Sequence, residues 1–252
     1  MRSKQITLNA IMHIPLVIFC FSVILPLIVL ISTSFSGLLG GNFRLIPQEI
    51  NLLGYKMIFQ NPQLIMRGYM TSSIVTVVGT LLSVIVTAGV AYAISRYDFK
   101  HRNKISFFIY FTMLFSGGLV PTYMLVAQYL QLRDSLWALI LPYVVSPFYV
   151  LMLRTFMQTI PIEIIESCYL DGAGEYRIFA QIILPLSKPG LATIALFTIF
   201  LYWNDWWLSL LYIETSNFIP LQAVLTRIMN NIQFLTGTVH TLPMGMRLAK
   251  SS

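Results

Sequence analysis

The chain has 252 residues, of which 57% are hydrophobic and only 10% are charged, and its formal net charge is +7. Soluble proteins carry about 25% charged residues, so this composition excludes an ordinary soluble enzyme or binding domain. The basic residues lie between long uncharged stretches instead of forming one patch, which argues against nucleic-acid binding and indicates a protein that crosses a membrane several times.

Five apolar stretches are long enough to span a bilayer, since about 20 helical residues cross its hydrocarbon core. They comprise residues 14–31, 68–95, 105–132, 135–153 and 189–213. The first four contain no charged residue, and the fifth contains only Asp205. This pattern predicts an all-α polytopic membrane bundle in which residues 1–252 form a single transmembrane domain.

The loops between these stretches predict the orientation, because Lys and Arg are enriched on the cytoplasmic side. Residues 96–104 carry four of them, whereas residues 32–67 carry only three. We therefore expect a cytoplasmic N-terminus, an extracellular loop at residues 34–66 and a cytoplasmic loop at residues 158–188.

Helix breakers interrupt two of the predicted spans. Gly117, Gly118 and Pro121 lie in the third, and Pro142 and Pro147 lie in the fourth. Irregular backbone at membrane depth requires protein or a water-filled cavity to satisfy its polar groups. The sequence leaves open whether these breakers are packing kinks or line a pathway.

The loop at residues 158–188 is too charged to span and too apolar for a solvated linker. Glu163 and Glu166 favour the positive end of a helix dipole. An apolar face is predicted from the spacing of Ile164, Ile165, Cys168 and Tyr169. This half of the loop is predicted to form a short amphipathic helix.

A glycine turn and a second helix are predicted to follow. Gly172, together with Gly174, suits the left-handed turn that ends many helices. The second helix is expected to end at Pro185. Its predicted apolar positions are Tyr176, Phe179, Ala180 and Ile183. The loop is thus a helix-turn-helix with an apolar side exposed for a partner.

The spacing of this loop resembles the EAA motif of ABC importer permeases. The matching positions are Glu166, Ser167, Cys168, Gly172, Ile182, Leu184 and Pro185. Ser167 and Cys168 stand where the family usually has two alanines, and both are small. Because the motif positions recur at fixed gaps in the expected loop, the resemblance is specific.

Further strings resemble carbohydrate-importer permeases of the maltose-system type. These strings are Asp171-Gly-Ala173 and Leu184-Pro-Leu-Ser-Lys-Pro189. Phe115-Ser-Gly-Gly-Leu-Val-Pro-Thr-Tyr123 and Tyr202-Trp-Asn-Asp-Trp206 resemble the subgroup found with complex-saccharide uptake in Gram-positive bacteria. The resemblance runs from the first span to about residue 249.

The resemblance implies a type I ABC importer permease in a bacterial plasma membrane, forming half of a pathway for a sugar or oligosaccharide. Its implied partners are a second homologous permease, a cytoplasmic ATPase dimer, an extracellular solute-binding protein and membrane lipid. The chain lacks a G-x-x-x-x-G-K-[ST] phosphate loop, so we expect ATP and Mg on the ATPase and no cofactor on this chain. The residues implied at the ATPase contact are Glu166, Ser167, Asp171, Gly172, Ala173, Ile182, Leu184 and Pro185.

Aromatic and polar residues crowd the predicted outer half of the fifth span. The candidates for a substrate pathway are Tyr202, Trp203, Asn204, Asp205 and Trp207. Sugars stack on aromatic rings and need directed hydrogen bonds, but Trp and Tyr also collect at membrane interfaces without binding a ligand. Polar groups within a span usually face the protein or an aqueous cavity, so Asn204 and Asp205 favour a pathway or a subunit interface.

Permeases of this type have six spans and both termini in the cytoplasm, whereas the sequence shows five spans. Residues 221–235 are interrupted by Arg227, Asn230 and Asn231. Residues 243–252 resemble the start of the last helix of the family. We therefore expect a sixth span that is truncated.

Two other classes of function are weaker alternatives. Ion coupling in a secondary transporter or channel usually requires ionisable residues deep in the spans, which the uncharged stretches lack. A membrane enzyme lacks support, because no Ser/His/Asp, Cys/His or metal-site pattern is present. Two cysteines, Cys20 and Cys168, exclude a disulfide framework. No catalytic or metal-ligating residue is predicted.

Overall fold

The computed structural model describes residues 2–35, 51–52, 55–56, 59, 62–215 and 218–241, with side chains described between residues 13 and 234 of those ranges. Its principal helices are α1 Arg2–Ser34, α2 Pro62–Ser95, α3 Arg102–Leu114, α4 Leu119–Tyr129, α5 Leu136–Tyr143, α6 Pro147–Met157, α7 Ile162–Leu170, α8 Glu175–Leu186, α9 Lys188–Asn204, α10 Trp207–Tyr212 and α11 Leu221–Thr241. The described ranges contain no strand. The all-α prediction is therefore confirmed.

The chain divides into two compact units, residues 1–63 and residues 64–252. In the first unit, His13–Ser34 of α1 is long and apolar enough to cross a membrane. The ring of Phe35, just after this helix, stacks on that of Tyr55 with centroids 5.9 Å apart. Most of the predicted extracellular loop at residues 34–66 lies outside the described residues.

Helix α2 runs unbroken through residues Pro62–Ser95 and is also long and apolar enough to span. Its buried face carries small and hydroxyl-bearing side chains, which let neighbouring helices approach closely. These buried residues are Gly68, Thr71, Ser72, Thr76, Gly79, Thr80, Ser83, Thr87, Ala88, Ala91 and Ser95. Helix α2 therefore packs tightly against the rest of the second unit.

The third predicted span is not one straight helix. Helices α3 and α4 are bent by 114° relative to each other across residues 115–118. Gly118 has φ +85° and ψ −177°, a conformation that is essentially restricted to glycine. The break therefore occurs at the glycines, whereas Pro121 lies within the first turn of α4.

Prolines and Ser187 mark the other two breaks. Helices α5 and α6 are bent by 49°, and Pro147 begins α6, where its missing N–H costs no hydrogen bond. Helices α8 and α9 are bent by 76° at Ser187.

The prediction that Pro185 ends the second loop helix is wrong, because α8 continues to Leu186. A π-helical turn at Phe179–Ile183 widens the hydrogen-bond spacing just before this proline.

Helix α11 begins at Leu221, whose backbone N–H donates to the hydroxyl of Ser72 at 2.9 Å. The guanidinium group of Arg227 donates to the carbonyl of Ile213 at 3.1 Å. Within the second unit, these two bonds tie α11 to α2 and to the residue that follows α10. The sixth span expected to begin within residues 243–252 falls outside the described residues.

Two apolar clusters hold the second unit together. One includes Val75, Leu139, Tyr202, Tyr212 and Val224. The other is formed by Ala88, Ala91, Leu153, Met157, Ile165, Ile178, Ile183 and Ile194. Helix α2 contributes to both clusters, and the second cluster supports the helix-turn-helix.

Candidate functional site

The turn between α7 and α8 has the hydrogen bonds of a Schellman motif. The N–H of Gly172 donates to the carbonyl of Tyr169, and the N–H of Ala173 donates to that of Cys168, both at 2.9 Å. Gly172 has φ +75°, so the predicted left-handed glycine is confirmed. The same prediction for Gly174 is wrong, because Gly174 is extended, with φ −77° and ψ 163°, at the start of α8.

The predicted apolar face of α7 is only half buried. Ile165 is buried and belongs to the cluster that includes Ile178 and Ile183, and the half-buried Cys168 packs against this cluster. Ile164 and Tyr169 are exposed. The buried contact of α7 with the cluster is therefore a narrow stripe through Ile165 and Cys168.

Two large apolar side chains protrude beside the turn. Leu170 is 90% exposed and Tyr176 is 92% exposed. Glu166, Ser167, Asp171 and Gly172 are exposed between or beside them. We call these six residues the coupling surface. The motif did not single out Leu170, although the sequence places this residue two positions before Gly172, at the end of the predicted helix.

The eight residues that the resemblance implies at the ATPase contact fall into three groups. Glu166, Ser167, Asp171 and Gly172 lie on the coupling surface. Ala173 and Ile182 line a cavity of about 210 Å³ together with Asp171, Cys168 and Arg177. Leu184 and Pro185 line a different cavity, of about 350 Å³, next to Val84 and Ala88 of α2.

The electrostatics at the base of the turn involve Arg96 and Tyr169. Burial opposes the charge of Arg96, but its hydrogen bond to Asp98 and the attraction of that carboxylate together outweigh burial and raise the pKa of Arg96 above its ordinary value. Partial burial and the hydrogen bond to Glu175 raise the pKa of Tyr169 to about 12. At neutral pH, Arg96 is therefore a cation and Tyr169 keeps its proton as a hydrogen-bond donor.

The candidate substrate residues at the end of α9 have different environments. Tyr202 is 2% exposed, and its hydroxyl donates to the carbonyl of Ile140 at 2.8 Å. A Cβ on Gly79 would lie 2.5 Å from the ring of Tyr202, so the ring occupies the space beside this glycine. Tyr202 is thus a core residue in this conformation.

Trp203 and Asn204 lie nearer the surface. The ring of Trp203 is half-buried, with its centroid 6.4 Å from that of Tyr69 on α2. Asn204 is exposed, and its Nδ2 donates to the carbonyl of Phe200 at 2.9 Å. The sequence could not identify Tyr69, because it lies far from Trp203 along the chain. Together the three side chains present two rings and an amide at one end of α2 and α9.

Asp205 faces the protein. Its carboxylate accepts hydrogen bonds from the hydroxyl of Tyr143 at 3.1 Å and from the N–H of Leu208 at 3.2 Å. Trp206 and Trp207 are exposed, with ring centroids 5.8 Å apart. The charge of Asp205 is therefore held within the chain, where it also satisfies an N–H at the start of α10.

Curated proteins with similar sequences are transport subunits. The chain is 40% identical over 216 residues to the polygalacturonan/rhamnogalacturonan transport system permease protein YtcP of Bacillus subtilis, covering 84% of this chain and 75% of that protein. It is 41% identical over 208 residues to protein LplC of the same organism, covering 81% and 70%. It is 30% identical over 234 residues to the arabinooligosaccharides transport system permease protein AraQ of Halalkalibacterium halodurans, covering 88% and 84%.

A solved structure has the same fold. A chain of a bacterial ABC transporter involved in the import of the acidic polysaccharide alginate aligns with a TM-score of 0.82 and 27% identity, covering 96% of this chain and 87% of that one. No family model matches. Because the relatives are transport permeases, the chain is a transport subunit and not an enzyme. The similarity in sequence and in fold shows that the chain belongs to the permease subunits of bacterial carbohydrate ABC importers.

Proposed function

We propose that this permease forms half of the pathway for an oligosaccharide and couples to an ATPase subunit through its coupling surface. Membership of the family implies an ATPase and a solute-binding protein as partners. ATP and Mg would bind to the ATPase. In this proposal residues 158–188, residues 96–104 and the N-terminus lie in the cytoplasm, and residues 34–66 lie outside.

The exposure of Leu170 and Tyr176 is the observation that carries the coupling proposal. Both are almost fully exposed beside the glycine turn, far more than any other apolar residue of α7 or α8, and Ile165, Ile178 and Ile183 of the same helices are buried. Large exposed apolar groups rimmed by polar ones are typical of protein interfaces. Glu166 and Asp171 supply the polar rim, and their carboxylates suit basic residues on the ATPase.

The substrate side of the proposal rests on Tyr69, Trp203 and Asn204. Aromatic rings offer flat apolar faces for sugar rings, and the amide of Asn204 offers both a donor and an acceptor for hydroxyl groups. The names of two relatives refer to the transport of polygalacturonan/rhamnogalacturonan and of arabinooligosaccharides. We propose an oligosaccharide substrate on this basis. Tyr202 and Asp205 would support this surface from within the bundle, and Trp207 would extend it.

The coupling proposal is tested by removing the two apolar side chains together. Leu170→Ala with Tyr176→Ala should cause loss of most of the ATPase subunit when the complex is purified through a tag on this chain. The buried stripe that holds α7 is unchanged, so the permease itself should keep its melting temperature. The ratio of ATPase to permease is measured on the purified complex.

Tyr129→Ala is the matched control, because Tyr129 is also highly exposed but lies at the end of α4. This variant should retain the ATPase at the wild-type ratio. Full retention of the ATPase by the Leu170/Tyr176 double variant would show that the coupling surface is not the docking site.

A further inference from the structure

A polar cluster joins the coupling turn to the end of α2 that is predicted to be cytoplasmic. Arg96, the first residue after α2, has a side chain that is only 11% exposed. Its Nη2 donates to the hydroxyl of Tyr169 at 2.9 Å and to Oδ2 of Asp98 at 3.0 Å. The same nitrogen lies 3.7 Å from Oε1 of Glu175. One guanidinium group therefore contacts both arms of the helix-turn-helix.

Glu175 closes this cluster from the other side. Its Oε2 accepts a hydrogen bond from the hydroxyl of Tyr92 at 2.5 Å, and its Oε1 accepts one from the hydroxyl of Tyr169. Tyr92 belongs to the last turn of α2, Tyr169 to the last turn of α7, and Glu175 begins α8. We call Tyr92, Arg96, Tyr169 and Glu175 the Arg96 cluster.

The Arg96 cluster adds directional hydrogen bonds to the contact between α2 and the helix-turn-helix, which is otherwise apolar. Next to it, the ring of Tyr92 lies 4.9 Å from that of Phe179, and Ile165 and Ile183 are buried. Apolar burial is non-directional, so such surfaces can slide past each other. Hydrogen bonds weaken steeply when their distance or angle changes. The Arg96 cluster therefore fixes the register of the coupling turn on α2.

Movement of the coupling turn can be transmitted to the longer helices of the second unit in two ways. Helix α8 continues into α9, although with a bend of 76° at Ser187. Helix α2, by contrast, is not adjacent to the turn along the chain. Arg96 is 73 positions from Tyr169, and Tyr92 is 83 positions from Glu175. For α2 to follow the turn, force must pass through side-chain contacts.

We propose that Arg96 is a positioning residue that makes α2 follow the coupling turn when the ATPase moves it. This inference rests on the proposed docking of the turn on an ATPase subunit. Arg96 acts by holding Tyr169 and Glu175 against α2. Without Arg96 the ATPase still docks and α9 still responds, but α2 lags behind.

The test compares the response of two helices to ATP in the complete complex in nanodiscs. Nitroxides are attached at Leu81 on α2 or Leu196 on α9, both exposed positions, in a Cys20→Ser, Cys168→Ala background. Pulsed electron paramagnetic resonance measures the distance from each label to one fixed label on the ATPase, with and without ATP and vanadate. In the wild type, ATP should change both distances.

Arg96→Gln should keep the ATPase bound and keep the ATP-driven change at Leu196, whereas the change at Leu81 should fall by at least half. Arg102→Gln is the matched control. Arg102 lies in the same predicted loop and stacks on Tyr97, at 4.6 Å from the ring centroid. This control should preserve both changes.

A second variant tests the cluster without removing a charge. Tyr92→Phe with Tyr169→Phe keeps both rings and removes only the hydroxyls that hold Glu175, so it should reproduce the selective loss at Leu81. A wild-type change at Leu81 in this folded variant or in folded Arg96→Gln would overturn the proposal. Loss of the ATPase from Arg96→Gln would also overturn it, because Arg96 would then act on docking. Absence of the ATPase from the wild-type complex would instead refute the proposed function itself.

Discussion

At the residue scale, Gly172 carries the clearest requirement for a particular amino acid. Its φ of +75° is a conformation that costs a residue with a side chain about 1–2 kcal/mol. No heavy atom lies within 4 Å of the position that a Cβ would occupy. Any effect of substitution therefore comes from backbone strain and not from a clash.

We predict that Gly172→Val impairs coupling, since a strain of 1–2 kcal/mol lowers the population of the native turn by about 5–30-fold. ATP hydrolysis by the assembled complex should fall severalfold. Gly174→Ala is the matched control, because Gly174 has an ordinary φ of −77° and equally open surroundings. Equal hydrolysis rates for Gly172→Val and Gly174→Ala would contradict the requirement for a left-handed residue.

Asp134 is a second residue with a demanding backbone, at φ +55°. Its Oδ1 accepts hydrogen bonds from the N–H of Thr215 at 2.9 Å and from the N–H of Glu214 at 2.7 Å, and these bonds lower the pKa of Asp134 below its usual range. The neighbouring Arg133 forms an ion pair with Glu214. Residues 133–134 thereby tether the segment that follows α10.

The lowered pKa gives a pH dependence with a definite sign. The ionised form of Asp134 is favoured by folding, so its stabilising contribution is complete above the ordinary aspartate value of about 3.9 and is lost as the pH falls through the lowered pKa. We predict that Asp134→Asn, which tolerates a positive φ, lowers the melting temperature at pH 7. The difference from the wild type should shrink below about pH 4. A difference that stays constant down to pH 2.5 would show that the charge of Asp134 does not contribute.

At the scale of elements, the sequence predicts where helices form better than where they bend. Apolar length is a local property, and each of the five predicted spans contains helix. The run at residues 105–132 contains no charge, so composition alone could not separate α3 from α4. The 114° bend depends on the left-handed Gly118. The N-terminal boundary of the second span shows the same limit. The charge of Arg67 places the start of the predicted span at residue 68, whereas α2 begins at Pro62.

The helix-turn-helix illustrates the same limit at the candidate site. Its glycine turn follows from hydrogen bonds between residues three and five positions apart, which a single sequence can indicate. The bond between Tyr92 and Glu175 joins residues 83 positions apart, and no local pattern predicts it. Pairing over such distances follows from packing, so the Arg96 cluster was visible only in the structure.

At the scale of the whole molecule, the described part of the chain has one coupling surface, formed by α7, α8 and their turn. Membership of the family implies an ATPase partner, and we propose that two ATPase subunits act as a pair. A single permease would engage only one member of such a pair. Exposed apolar residues on α9, such as Leu196, Phe197 and Phe200, suit either lipid or another helix, so composition does not decide what covers them.

We therefore predict that the working complex contains one copy of this permease and one copy of a homologous permease on two ATPase subunits. Native mass spectrometry of the complex, purified through a tag on this chain, should give that stoichiometry. Co-reconstitution with the ATPase alone should give no ATP-driven uptake, because the second docking site on the ATPase pair stays empty and half of the pathway is absent. Adding the homologous permease should restore uptake. ATP-driven uptake by this chain and the ATPase alone, above that of the Leu170/Tyr176 double variant, would refute the need for a second permease.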